Sequence, residues 1–184
     1  MFKTIIFILI ATLVEIIVFN YYIKYLKKKR YTQVVRELGP RSHIVKNGTP
    51  TAGGIIIIIF IVINFIVIKL LNNLKFNISD LIFLLTIILF GILGLLDDLN
   101  IITKRNNKGL TPKMKIIVEI VFCVLIYLLL KISGYNNTIN IVNHKLDLSI
   151  VSIIFVIFYI IAWSNSFNIT DGLDGLAGNL SLSV

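Results

Sequence analysis

The sequence predicts an all-α integral membrane protein, a polytopic bundle of about five transmembrane helices. Three observations predict it. Hydrophobic residues make up 57% of the 184 and charged residues only 15%, more apolar surface than a water-soluble core can bury. The mean hydropathy of +0.94 is gathered into long runs separated by short polar segments. In hydrocarbon an isolated strand leaves its backbone unpaired, so even a β-branched run such as Ile55 to Ile59 reads as helix.

A helix needs roughly 20 apolar residues to cross a bilayer, fewer where the membrane thins or polar ends snorkel. The first span, Thr4 to Ile23, is longer than a signal-peptide core and no small-x-small cleavage signal follows, so it reads as retained. The second covers Gly53 to Leu71 and is preceded by Thr49-Pro50, which read as an N-cap and a first helical position. Such an end leaves N–H groups that attract a phosphate. The third, Ile78 to Leu96, ends on Asp97-Asp98, and the fourth, Met114 to Ile132, holds Glu119 and Cys123. Cys123 is the single cysteine, which excludes an intrachain disulfide and a cysteine-rich zinc site; it reads as a packing residue. The alternation from Thr138 to Leu148 around Asn143-His144-Lys145 predicts a small external hairpin. The fifth span, Leu148 to Trp163, closes on an aromatic suited to the headgroup layer. The whole of 1–184 reads as a single transmembrane domain, with a sixth helix expected to begin near Leu180.

Lys and Arg number 18 against 9 Asp and Glu, a net charge of +9. The positives fall between apolar runs, so they report membrane topology rather than a nucleic-acid partner. The first inter-span segment holds Lys24, Lys27, Lys28, Lys29, Arg30, Arg36, Arg41 and Lys46; the third holds Lys104, Arg105, Lys108, Lys113 and Lys115. The positive-inside rule puts both segments in the cytosol and the N-terminus outside.

Three polar clusters then share the cytosolic side: Ser42 to Gly54, Asp97 to Lys115 and Asn165 to Gly178. Asp97 and Asp98 are adjacent like charges at a helix end, an arrangement relieved by a divalent cation or nearby lysines. A solvated helix end would also carry such a pair, but would not explain the phosphate-binding charge of Lys104, Arg105, Lys108 and Lys113 beside it. The string Asn168-Ile169-Thr170-Asp171-Gly172-Leu173-Asp174-Gly175-Leu176-Ala177-Gly178 places two acids three apart, while its glycines permit close approach of a phosphorylated ligand. It lacks the ligand spacing of an EF-hand. His43 alone reads as an interfacial residue. Glu15 and Glu119 lie within spans, where an ionisable side chain is a functional candidate; Glu119, about a turn from the cytosolic end, reads equally as reaching the cleft or as making an interhelical hydrogen bond while protonated.

In this order and topology the three clusters resemble the polyprenyl-phosphate N-acetylhexosamine-1-phosphate transferases. Gly39-Pro40-Arg41-Ser42-His43 with Lys46 and Gly48-Thr49-Pro50-Thr51-Ala52-Gly53-Gly54 favours the branch acting on UDP-N-acetylmuramoyl-pentapeptide over relatives that start teichoic-acid or O-antigen synthesis. The resemblance covers the first half of a fold of about ten helices. It implies a magnesium-dependent enzyme of the bacterial plasma membrane, with its site on the cytosolic side. Undecaprenyl phosphate and UDP-N-acetylmuramoyl-pentapeptide are the implied substrates, and UMP and a lipid-linked peptidoglycan precursor the products. Asp97 matches the family's carboxylate proposed to deprotonate the lipid phosphate, or in an older scheme to attack the sugar nucleotide itself, with Asp98 in support. Lys46, Thr51, Lys113, Asn168 and Asp171 match cleft residues, and Gly172, Leu173 and Asp174 match the uracil-binding strip. Ala52 departs from the usual Met and Ile101 from a Lys found in several members. The family's third catalytic Asp, thought to bind magnesium, and its His-rich loop correspond to positions beyond residue 184, so no metal ligand is assigned and activity of these 184 residues alone is doubtful.

A non-catalytic membrane fragment or half of a split protein is the alternative from another class. A small transporter is disfavoured, since the spans hold no charge pairs of the kind transporters use. The choice between monomer and homodimer is left open.

Overall fold

The computed structural model describes residues 2–32, 49–104, 109–141, 144–170 and 178–179. The helices are α1 (Phe2–Lys29), α2 (Gly54–Leu71), α3 (Ile78–Lys104), α4 (Pro112–Ile132) and α5 (Ser152–Thr170), with strands β1 (Thr138–Ile141) and β2 (His144–Asp147) between α4 and α5. This is an all-α polytopic membrane fold with one small hairpin. Among the described residues, four helices are long and apolar enough to cross a membrane: α1, α2, α3 and α5 with the short 3-10 turn before it. The fifth, α4, has 21 residues but carries Lys113, Lys115, Glu119 and Lys131. The run from Leu180 lies outside the described residues.

The chain divides into two compact units, Met1–Lys115 and Ile116–Val184. In the first, α1 and α2 run antiparallel, tied by three polar contacts in register. Asn72 Nδ2 donates to Thr4 Oγ1 at 3.1 Å, Asn64 Nδ2 to Glu15 Oε1 at 2.5 Å and the Tyr22 hydroxyl to the Ala52 carbonyl at 3.1 Å. The second and third bind groups that hydrocarbon would otherwise leave unsatisfied. The pair α2 and α3 is also antiparallel. Phe65 and Phe83 pack with ring centroids 4.9 Å apart, and Gly91 lies so close to the Ile58 side chain that a Cβ there would overlap it. A small residue at that point lets two helices approach.

In the second unit, Tyr127 and Ser152 share a buried hydrogen bond of 2.8 Å between α4 and α5. Cys123 is fully buried, as a packing residue should be. The predicted hairpin is present, with Thr138 opposite Asp147 and Ile141 opposite His144.

Helix ends differ from the sequence expectation in ways that matter for the site. Three helices close with a residue in the left-handed region, Arg30 (φ 59), Asn73 (φ 50) and Gly134 (φ 88). In each, the next N–H reaches back five residues: Tyr31 to Leu26, Leu74 to Lys69 and Tyr135 to Leu130. This satisfies carbonyls that would otherwise be orphaned. At the other end of α2 the expected start fails. Thr49-Pro50 does not cap it: Pro50 pairs with Thr32 in an isolated bridge and Thr51 N–H donates to the Tyr31 carbonyl at 3.0 Å. Ala52 then adopts φ 68, which no right-handed helix tolerates, so α2 begins at Gly54. The capping role falls instead to the second Thr-Pro pair, where Thr111 Oγ1 accepts from Met114 N–H at 3.3 Å and Pro112 is the first residue of α4. Strong helix formers follow Pro112, whereas Thr-Ala-Gly-Gly follows Pro50.

Candidate active site

The third helix was expected to end at Leu96. It continues to Lys104, so Asp97 and Asp98 sit on its last two turns rather than at its end. Its 27 residues span about 40 Å, roughly 10 Å beyond a hydrocarbon core, and Asp97 lies roughly 28 Å from its start. The acids are therefore at the interface, where a carboxylate is far cheaper than at mid-bilayer.

Neighbouring residues on a helix diverge by about 100°, so the two carboxylates face different segments. Asp98 Oδ2 accepts from the Ala52 backbone N–H at 2.9 Å. Asp97 Oδ1 accepts from the Leu110 backbone N–H at 2.6 Å, a short bond of the charge-assisted kind. Ala52 is buried and its left-handed conformation turns its N–H away from a helical path and toward Asp98. Two of the three sequence-predicted clusters thus meet at the acid pair. Thr51 is half-buried beside this contact, and Lys113 is exposed in the first turn of α4, three residues after Leu110.

In the second unit Asn168 is exposed on the last turn of α5. One turn earlier, Asn165 Nδ2 donates to Glu119 Oε2 at 2.9 Å and to the Ile161 carbonyl at 3.0 Å. Glu119 is fully buried, and its Oε1 has no hydrogen-bond partner among the described residues. Lys46, Asp171, Gly172, Leu173 and Asp174, with His43, Arg105 and Lys108, lie outside the described residues.

Each acid within a span is thus paired with an asparagine from a neighbouring helix. Sequence reasoning missed Asn64, a conspicuous polar residue in an otherwise apolar run, and placed Asn165 in the third polar cluster without pairing it to Glu119. The backbone donors Ala52 and Leu110 carry no side-chain signal at all.

Chemically, two carboxylates are hard oxygen donors of the kind magnesium takes alongside substrate phosphates. Among the described residues no group of three His, Cys, Asp or Glu forms a metal cluster. Because the two carboxylates face different segments, either could contribute one oxygen to such an ion, but the pair does not by itself form a chelating site.

The family model "Glycosyl transferase family 4" matches residues 80–184, which include the acid pair and the Asn168 to Gly178 string. Among curated relatives, one from Staphylococcus saprophyticus is 38% identical over 180 residues, covering 95% of this chain and 55% of the relative. One from Listeria monocytogenes serotype 4b is 33% identical over 175 residues, covering 94% and 54%. Both carry the name phospho-N-acetylmuramoyl-pentapeptide-transferase. The chain spans about half the length of the curated relatives it matches.

Proposed function

Because the chain belongs to glycosyl transferase family 4, we propose that its gene product transfers phospho-N-acetylmuramoyl-pentapeptide from its UDP-sugar to undecaprenyl phosphate. The products are UMP and the first lipid-linked peptidoglycan precursor. The observation that carries this reading is the meeting of the Thr51-Ala52 segment, the acid pair and the Leu110 segment at the end of α3. The names of the relatives supply the substrate class.

In the proposed step, Asp97 takes the proton of a monoanionic lipid phosphate, whose second pKa lies near about 6 by analogy with phosphorylated side chains. The freed phosphate oxygen bonds to the β-phosphorus of the UDP-sugar as the bond to UMP breaks. Phosphoryl transfer of this kind depends on positioning and charge stabilisation more than on covalent protein chemistry. Lys113 and Lys46 contribute positive charge and Thr51 a polar contact. Asn168, Asp171, Gly172, Leu173 and Asp174 hold the uridine moiety. Magnesium, when bound, would supply charge neutralisation at the transferred phosphate, and the Asp98 carboxylate is an oxygen donor of suitable chemistry for it. The acid pair faces the cytosol, where UDP-sugars are found, and the N-terminus lies outside; the clustering of Lys24 to Arg30 and Lys104 on one side supports that orientation.

The test is UMP release by the gene product carrying this chain, with different UDP-sugars and with or without undecaprenyl phosphate. Release with UDP-N-acetylmuramoyl-pentapeptide that requires the lipid is expected. Preference for UDP-N-acetylglucosamine would reassign the protein to another branch of the family.

A further inference from the structure

The glycine before Leu110 has no role in the scheme so far, yet it touches the carboxylate on which that scheme turns. A Cβ built on Gly109 would overlap the Asp97 carboxyl group, meeting Oδ1 and also Oδ2 and Cγ, the last two at 2.8 and 2.6 Å. No side chain fits there while Asp97 keeps its place. The same close approach lets the next residue's N–H reach Oδ1 at 2.6 Å. Position 109 lies at φ outside the left-handed region, since Gly134 is the glycine with positive φ among those described. The constraint at Gly109 is therefore contact with Asp97, not backbone conformation.

We propose that Gly109 is a positioning residue for Asp97: its missing side chain seats the carboxylate against the Leu110 N–H, committing Oδ1 and leaving Oδ2 to take the substrate proton. The inference rests on the proposed role of Asp97 as base. A carboxylate free to rotate would present either oxygen in many directions. One fixed through a single oxygen presents the other along a defined line, and misplacement of a reacting group by about 1 Å costs roughly 100-fold in rate. The proton moves from the lipid phosphate hydroxyl to Oδ2, and the electron pair left on the phosphate oxygen forms the new bond to phosphorus. Oδ1 keeps its hydrogen bond throughout. The counterpart at Asp98 is built differently, from the left-handed backbone of Ala52, so the two clamps can be broken separately.

The test joins kinetics to a measurement that needs no turnover. Gly109→Ala in the gene product should lower kcat roughly 100-fold, leave the KM for the UDP-sugar unchanged and leave thermal stability near that of the parent. Introduced into an Asp97→Asn background it should cost no more than about twofold further, because a residue that acts only through Asp97 has nothing left to position. In the 184-residue chain itself, backbone hydrogen exchange at Leu110 should speed up in Gly109→Ala and stay slow in Asp97→Asn, whose side-chain oxygen still accepts. Unchanged exchange at Leu110 in Gly109→Ala would overturn the proposal, as would a full additive loss in the double variant. Unimpaired turnover in Asp97→Asn alone would instead remove the base assignment, while the exchange result would still report on the clamp.

Discussion

The hairpin of α2 and α3 carries acids at both of its ends and treats them in opposite ways. At the end closed by the Asn72 to Asn77 connection, Asp80 meets the Lys69 ammonium at 2.6 Å. Asp80 also forms a reciprocal cap with Asn77, whose N–H donates to Oδ2 at 2.8 Å and whose Oδ1 accepts from Asp80 N–H at 2.9 Å. This is the capping-box pattern with a shorter acid. At the other end, Asp97 and Asp98 accept from the backbone N–H groups of Leu110 and Ala52. One end neutralises its acid and starts a helix with it. The other end holds its acids on backbone N–H donors from two separate segments, contacts that fix the direction of each carboxylate. That difference separates an acid that serves the fold from a pair suited to a proton or a cation.

The largest effect expected from this contrast is one of sidedness. In a Cys123→Ser background, a cysteine at Lys75 should be labelled by a membrane-impermeant thiol reagent in intact cells, and one at Lys104 only after the cells are opened. Equal labelling of both, or the reverse pattern, would break the comparison by removing the difference in compartment.

Next in size is the packing that joins the two ends. Gly91→Ala should destabilise the protein by about 1–3 kcal/mol through overpacking against Ile58, read as a lower unfolding midpoint in detergent. Adding Ile58→Ala should recover much of the loss. A third kind of acid sharpens the contrast further. Glu119 is buried and paired with an amide, so Glu119→Gln should be nearly neutral, whereas Glu119→Ala should cost about 1–3 kcal/mol by leaving part of Asn165 unpaired. If both variants behaved alike, the Glu119–Asn165 contact would not contribute to stability. Smallest of all, Lys69→Met should lower the midpoint slightly and leave UMP release untouched, since a single ion pair near the surface contributes little.

The contrast itself, with Asp80 at one end, was not legible in the sequence, but much of the fold and of the candidate site was. Apolar run length located all five helices and alternation located the hairpin, because both report local periodicity. The acid pair and the Thr51 segment were readable as one site from their shared side of the membrane. Thr49-Pro50 misled because a cap signal is only as good as the residues after it, and Thr-Ala-Gly-Gly forms helix poorly. The third helix runs past Leu96 because a helix end at the interface is free to continue beyond the hydrocarbon, here with polar residues (Asp97, Asp98, Asn100, Thr103, Lys104) alternating with apolar ones. Ala52 at φ 68 and the Gly109 contact with Asp97 were invisible, since both are set by residues distant in sequence: Asp98 and Tyr22 in one case, Asp97 in the other.

The central claim, that the two ends of one hairpin use their acids for different purposes, is tested most directly by making the same acid-to-amide change at each. Asp97→Asn and Asp80→Asn would be compared in the gene product for lipid-dependent UMP release, UDP-sugar binding and unfolding midpoint. The account predicts that Asp97→Asn lowers release by roughly 100- to 10,000-fold with binding and midpoint retained, and that Asp80→Asn lowers the midpoint while turnover per folded molecule is retained. Retained turnover in Asp97→Asn, or equal losses of turnover in the two variants, would contradict it.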